Sequence, residues 1–163
     1  MAQAGISTLG VKAGYAVETT AGQKPTSFNW LSRISAIGGI SLETEQLDAS
    51  ALEDYITRYI AGRQDSGGSF SITVNITDDE EGTIKQWKKA IADYNAAELE
   101  GKGVWFEIWH PTMQNGWFIV VQLPQVMPMP EFNQNEVLTV EIPLTINDYK
   151  GMSAKIEPVD IAV

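Results

Sequence analysis

The stretch from Glu43 to Asn75, ETEQLDASALEDYITRYIAGRQDSGGSFSITVN, decides how the chain is read. Its last part, Ser69 to Ile76, alternates cleanly: Phe70, Ile72, Val74 and Ile76 fall on one face, and Ser69, Ser71, Thr73 and Asn75 on the other. That period of two predicts a half-buried strand. Asp65-Ser66-Gly67-Gly68 predicts the turn that leads into it. Before the turn, an excursion from Thr44 to about Gln64 is longer than an ordinary hairpin loop. It carries Leu47, Leu52, Tyr55, Ile56, Tyr59 and Ile60, too much apolar surface for a solvated loop. A long apolar arm between two strands predicts contact with something else, and self-assembly is the leading expectation.

Within the excursion, Ser50-Ala51-Leu52-Glu53 fits a capping box. A short helix over about 51–59 would place Leu52, Tyr55, Ile56 and Tyr59 on one stripe. Core packing and a subunit joint both account for such a stripe. Upstream, Arg33–Glu43 predicts a strand with Ile34, Ala36, Ile40 and Leu42 on one face. Its Gly38-Gly39 doublet predicts a bulge or a close backbone approach. Residues 1–32 are rich in Gly, Ser and Thr and read as an N-terminal arm, packed on the domain surface or docked on a neighbour.

Downstream, Thr77-Asp78-Asp79-Glu80 reads as a second capping box opening a helix over 78–99 that stops at Gly101. Ile84, Trp87, Ala90, Ile91 and Tyr94 form its apolar stripe. Val104–His110 and Trp117–Leu123 are strands joined by a turn over 111–116 that contains Asn115-Gly116. Large aromatics on both faces of this pair (Trp105, Phe106, Trp109, Trp117) predict burial on both sides. A proline-rich connector with Pro124, Pro128 and Pro130 leads to the alternating strand Glu136–Ile146. There Leu138, Val140, Ile142, Leu144 and Ile146 face inward, and Pro143 predicts an edge or a bulge. A short strand-like piece lies at Lys155–Val159.

Composition narrows the function. The 163 residues fit one domain with a sizeable core. Twenty-one acidic residues against eleven basic ones give a net charge of −10, which disfavours direct binding of a phosphate backbone. No cysteine is present, so disulfides, zinc–thiolate sites and thiol nucleophiles are excluded. The single histidine, His110, sits beside Pro111 at a turn and reads as structural. The carboxylate run Asp78–Glu81 lacks the alternating spacing of a calcium loop. No phosphate-binding or nucleophile-elbow pattern occurs. The expectation is a non-enzyme with no catalytic residue, metal or cofactor. The N-terminus lacks a secretory pattern, and no apolar run is long enough to span a bilayer.

One resemblance sharpens this. A strand leading into E-x-E-x-L-D-x-S-x-L-E-D, then G-R-x-D-S-G-G, then a strand ending T-V-N and an acidic-capped helix, resembles the major tail tube proteins of long-tailed, siphovirus-type bacteriophages. The likeness is strongest over 43–75, and the order of elements agrees from about 30 to 148. It implies an α+β, mainly β fold: a β-sandwich or barrel with one flanking helix, a long inter-strand loop and extended terminal arms. It implies a structural virion protein whose hexameric rings stack into the hollow tube that carries double-stranded DNA, without specific binding, into the host. Its partners would be further copies of itself, a tape measure protein, and tail tip (initiator) and terminator proteins, with assembly in the host cytoplasm and no membrane anchor.

In that scheme residues 1–163 form a single domain. The segment 44–67 is the inter-ring loop, and 1–32 and 149–163 are terminal arms. Leu47, Asp48, Leu52, Glu53, Asp54, Tyr55, Ile56, Tyr59, Arg63 and Asp65 are the expected subunit or ring interface. Two other readings stay open. One is the tube protein of a contractile injection or secretion system. The other is a carbohydrate- or receptor-binding β-sandwich using Trp105, Trp109 and Trp117 as a stacking platform.

Overall fold

The computed structural model describes residues 4–156. Nine strands and one helix follow in the order β1 (Lys12–Val17), β2 (Asn29–Leu31), β3 (Ile34–Ile37), β4 (Glu43–Asp48), β5 (Tyr59–Asp65), β6 (Ser69–Asn75), α1 (Thr83–Leu99), β7 (Val104–Trp109), β8 (Asn115–Gln122) and β9 (Thr139–Ala154). Seven strands form one sheet in the order β2-β1-β7-β8-β9-β6-β3, and β4 and β5 form a separate pair. Every pairing is antiparallel. The fold is mainly β with one helix, as expected.

The long strand β9 makes the sheet curl. Its first half pairs with β6 and its second half with β8. Two register shifts interrupt the β8 pairing, one between Phe118 and Ile119 and one between Val120 and Val121. Each gives β9 one residue more than its partner, Lys150 and Asn147, and such bulges bend a strand and increase its twist. The inward face duly changes parity: Val140, Ile142, Leu144 and Ile146 are buried, after which Tyr149 turns inward. Pro143 pairs with Ser71 of β6, whereas β8 reaches only to Thr145. Its other side is therefore an edge, the place where a residue without an N–H is tolerated.

The curled sheet and α1 enclose one core. Phe70, Ile72 and Val74 of β6 meet Tyr15, Phe106, Ile119 and the helix residues Trp87, Ala90, Ile91 and Tyr94. Trp87 and Phe106 have ring centroids 5.9 Å apart. A smaller cluster of Ala16, Phe28, Trp105 and Phe118 covers the other face of β1, β7 and β8. The expected burial of this region on both sides is thus met within one chain.

Several local expectations are corrected. Residues 1–32 are not an arm throughout: β1 lies between β2 and β7, and Ala13 and Tyr15 are fully buried. Backbone pairing on both sides outweighs the modest cost, roughly 0.5–1 kcal/mol, of Gly14 within a strand. The strand expected over 33–43 ends at Ile37. Its bulge falls between Ile34 and Ala36, which turns Ile34, Ile37 and Ile40 inward and leaves Ala36 outside. Gly38 makes the close approach: its N–H donates to Ser71 O at 3.0 Å.

The helix begins at Thr83, not Asp78. The Thr83 N–H donates to Thr77 Oγ1 at 3.0 Å, the Thr77 N–H donates to Thr83 Oγ1 at 3.1 Å, and Thr83 Oγ1 donates to Asn75 O at 2.9 Å. This clamp fastens the helix start to the end of β6. The acidic run becomes a preceding turn, in which Asp78 Oδ1 accepts the Glu80 N–H. Its end is as expected: Gly101 has φ +71°, Gly101 N–H donates to Glu98 O and Lys102 N–H to Ala97 O, a Schellman ending.

Asn115-Gly116 is not the hairpin turn. Both residues lie in β8, paired with Ala154 and Ser153, and the turn falls at 111–114. His110 sets that turn, since its Nδ1 accepts the Thr112 N–H, while Nε2 lies 2.6 Å from Ser7 O. Of the expected C-terminal arm 149–163, residues up to Ala154 belong to β9. Lys155 and Ile156 are outside any strand, and the rest of the piece expected at 155–159 lies outside the described residues.

Candidate functional site

The excursion, which links the neighbouring strands β3 and β6, is a β-hairpin. No helix forms over 51–59, and this corrects the expectation from the capping-box pattern. The reason lies in where the polar side chains bond. Ser50 Oγ accepts the Arg58 N–H at 2.8 Å, across the hairpin, and the Ala49 N–H donates to Arg58 O at 2.8 Å. Asp54 Oδ2 accepts the Ala51 N–H at 2.8 Å, and Asp54 Oδ1 pairs with Arg58 Nε at 3.0 Å. Asp48 Oδ1 accepts the Ser50 N–H, which holds that carboxyl below its usual range. These bonds close a tip in which the side chains that would have capped a helix hold a turn instead.

Below the tip the strands pair as Asp48↔Tyr59, Leu47↔Ile60 and Gln46↔Ala61, with a bulge before Thr44↔Gln64 and Glu43↔Asp65. Leu47 and Ile60 share one face, and Tyr59 and Ala61 the other. Strands of this length extend about 20 Å beyond their root. Nothing of the main sheet pairs with them. An isolated two-stranded hairpin is marginal in water.

The ten residues expected at the interface all map to this hairpin. Leu47 and Asp48 lie on β4, Leu52, Glu53, Asp54, Tyr55 and Ile56 in the tip, and Tyr59, Arg63 and Asp65 on β5. Asp65 shapes the root, where its Oδ1 accepts the Gly67 N–H at 2.9 Å. Leu52 and Tyr55 are as exposed as in an extended peptide, at 109% and 104%, and Ile56 is 80% exposed. The core-packing explanation of the stripe therefore fails. Each such side chain gains about 1.5–3 kcal/mol when fully buried.

A second feature was not foreseen. At the hairpin root an apolar cleft of about 240 Å³ opens between the chain leaving β3 and residues of β7, β8 and β9. Ile37, Ile40, Ile108, Trp117 and Tyr149 line it half-buried, with Phe70 at its floor. Among the described residues, no charged side chain lines it. The only sequence signal was the Gly38-Gly39 doublet, which forms one wall.

The two outer faces of the curled sheet differ in charge. On the β1-β7-β8 side, Lys12, Lys24, Lys150 and Lys155 lie over aromatic rings, Lys24 Nζ being 3.6 Å from the Phe118 centroid. On the β6-β9 side, the cross-strand pairs are Ser71↔Pro143, Thr73↔Glu141 and Asn75↔Thr139, without a cation. Trp105 and Trp109 are only 5% and 6% exposed, so they form no open stacking platform. Among the described residues, no group of three or more His, Asp or Glu side chains gathers as metal ligands would, and no helix is long and apolar enough to cross a membrane.

No protein-family profile matches the chain, and no curated protein matches it. Solved structures do. A chain of the virion of a native gene transfer agent particle superposes with a TM-score of 0.54 at 12% identity, covering 93% of this chain and 99% of that one. A chain from the tail of an empty gene transfer agent particle, refined with C6 symmetry, gives 0.51 at 15% identity, covering 89% and 93%. A chain of the six-fold symmetrised baseplate of the anti-feeding prophage gives 0.49 at 13% identity, covering 94% and 98%. At these identities the two gene transfer agent matches show the fold alone: over about nine-tenths of its length this chain folds like a chain of the virion and a chain of the tail of such particles.

Proposed function

We propose that this protein is a structural subunit of a phage-type tail, and that copies of it form hexameric rings stacked into a hollow tube for double-stranded DNA. The observation that carries the reading is the hairpin, a hydrogen-bonded element whose tip presents Leu52, Tyr55 and Ile56 to solvent. A free-standing apolar projection costs solubility and gains nothing in a monomer. In an assembly it becomes a joint, and the open edges at β2 and β3 become sites for pairing between subunits. Likeness to a chain from a C6 tail supports the ring order through the fold alone.

The charge asymmetry fits a conduit. The β6-β9 pairs present small polar side chains and Glu141 but no lysine or arginine, and the exposed Arg33 lies only at their margin beside Asn75, so the face offers DNA phosphates few counterions. On this reading it lines the lumen, and the lysine-bearing β1-β7-β8 face lies outside. Tape measure, tip and terminator proteins are the partners such a tube requires, with the assembled tail as its location. A contractile particle remains the alternative setting for the same subunit, and a sheath gene beside this one would mark it. The sugar-binding reading loses support from the burial of Trp105 and Trp109.

The test is negative-stain electron microscopy of the purified, concentrated and aged protein. Hollow tubes or six-fold rings are expected. A protein that stays monomeric at millimolar concentration, and also when added to tip complexes, overturns the reading.

A further inference from the structure

The hairpin tip and the apolar cleft sit at opposite ends of one element. The cleft wall includes Ile37, Gly38, Gly39 and Ile40, and β4 starts three residues after Ile40. On the return, β5 ends at Asp65, and Phe70 of the cleft floor follows five residues later. The hairpin therefore rises from the cleft rim and carries its tip about 20 Å away. Paired strands closed by the Asp54–Arg58 and Ser50–Arg58 bonds cannot fold the tip back onto their own root.

We propose that the cleft lined by Ile37, Ile40, Ile108, Trp117 and Tyr149 is the acceptor for the hairpin tip of a second copy of this chain. This rests on the subunit reading above and names the surface that receives the joint. The occupant follows from the chemistry of both halves. Among the described residues the acceptor lining is uncharged and apolar, with half-buried aliphatic and aromatic walls. The tip offers Leu52, Tyr55 and Ile56, the three most exposed large apolar side chains of the hairpin. A cleft of about 240 Å³ admits one or two such side chains and not the whole hairpin.

Because donor and acceptor lie on one chain and cannot meet within it, their contact is heterologous. Each copy that fills a cleft presents its own cleft and tip to further copies, and such a contact propagates without closing on a dimer. That is the property a stacking direction requires. Tyr149 also borders Leu42, Gln64 and Asp148 at the root, so the receiving surface continues onto the base of the acceptor's own hairpin.

The absence of cysteine allows a clean test. The variant Tyr55→Cys with Ile40→Cys is assembled, oxidised mildly and run on a non-reducing gel. A control pairs Tyr55→Cys with Lys88→Cys, on the exposed face of α1. A ladder of covalent multimers from the first pair and only background from the second is the expected result, since a disulfide needs Cα atoms within about 7 Å. Unlinked tubes from the first pair, or equal ladders from both, overturn the acceptor assignment and leave the subunit reading standing. A wild-type chain that never assembles overturns both.

Discussion

The backbone N–H of Ile156 donates to Glu107 Oε1 at 2.7 Å, and Glu107 is fully buried beneath it. Burial pushes this carboxyl up to about 7, against the pull of the Ile156 N–H, Lys24 and Lys155. The sign of the pH effect follows. In the unfolded chain Glu107 ionises near its ordinary value of 4.5, whereas the folded protein holds the proton until about pH 7. The stabilisation is present in full below the unfolded value and is lost as pH rises through the folded one. Glu107→Gln cannot ionise. From pH 5 to pH 8 the wild type is expected to lose about 1–3 kcal/mol more stability than this variant. Urea unfolding at the two pH values measures it, and equal losses would remove Glu107 as the cause.

The tip is the place where assembly and folding separate. Leu52→Asp with Tyr55→Asp changes two side chains that are fully exposed among the described residues. Stability is expected to change by no more than about 0.5 kcal/mol, the range for exposed sites. Polymerisation is expected to be abolished, because each carboxylate would have to be buried without a partner. Circular dichroism checks the first and sedimentation velocity the second. Tubes formed by this variant would remove the hairpin from the joint.

Order in the hairpin depends on Asp54, which accepts the Ala51 N–H and pairs with Arg58. Asp54→Ala frees the tip without altering an apolar contact. Its expected effect is slower assembly, by about tenfold for ~1.4 kcal/mol of added ordering cost, with unchanged Tm of the body. Amide exchange gives the structural counterpart. In the monomer β4 and β5 are expected to exchange faster than β7 and β8, and to gain protection on assembly. An Asp54→Ala protein that assembles at the wild-type rate would show that the tip is ordered by its partner alone.

The fold was legible where a side-chain pattern reflects one local choice. Phe70, Ile72 and Val74 alternate into the core as read, Trp87, Ala90, Ile91 and Tyr94 form the buried helix stripe, and Gly101 ends the helix. Reading failed where two patterns compete for the same polar atoms. Ser50 and Asp54 bond across a turn instead of capping a helix. Thr77 engages Thr83, which moves the helix start past the acidic run. Residues 1–32 read as an arm because nothing local announces that Trp30 and Glu107 pair with Gly14 on either side. The hairpin was legible as an apolar excursion. The cleft was not, since Ile40, Trp117 and Tyr149 come from distant parts of the chain and meet only when β9 bends.

Gly82 joins the acidic turn to the helix, and a Cβ there would overlap Thr77 Oγ1 and the Asp78 backbone. Gly82→Ala must therefore break the clamp between Thr77 and Thr83. The expected cost is about 1–3 kcal/mol, from buried groups left without partners. Thr83→Val probes the same clamp by deleting the hydroxyl that serves the Thr77 N–H and Asn75 O. Both variants are expected to lower Tm with assembly unchanged below the transition. A neutral Gly82→Ala would mean that the turn relaxes freely.

Glu141 stands opposite Thr73 on the polar β6-β9 face, with no lysine or arginine among its strand partners. If this face lines a tube, Glu141→Lys places a ring of cations in the lumen, repeated at every stacked ring. The change is exposed, so folding and assembly are expected to stay within about 0.5 kcal/mol of wild type. Assembly in the presence of short duplex DNA is then expected to trap DNA that resists nuclease, with retention falling steeply between 50 and 200 mM salt as about one ion per contacted phosphate is released. Wild-type tubes are expected to trap none, because Glu141 repels phosphate and the β6-β9 pairs set no cation beside it. The location of the bound DNA decides the assignment. Nuclease-resistant DNA places the face inside, whereas DNA that binds the variant tubes but is fully digested places it outside and reverses the orientation of the subunit.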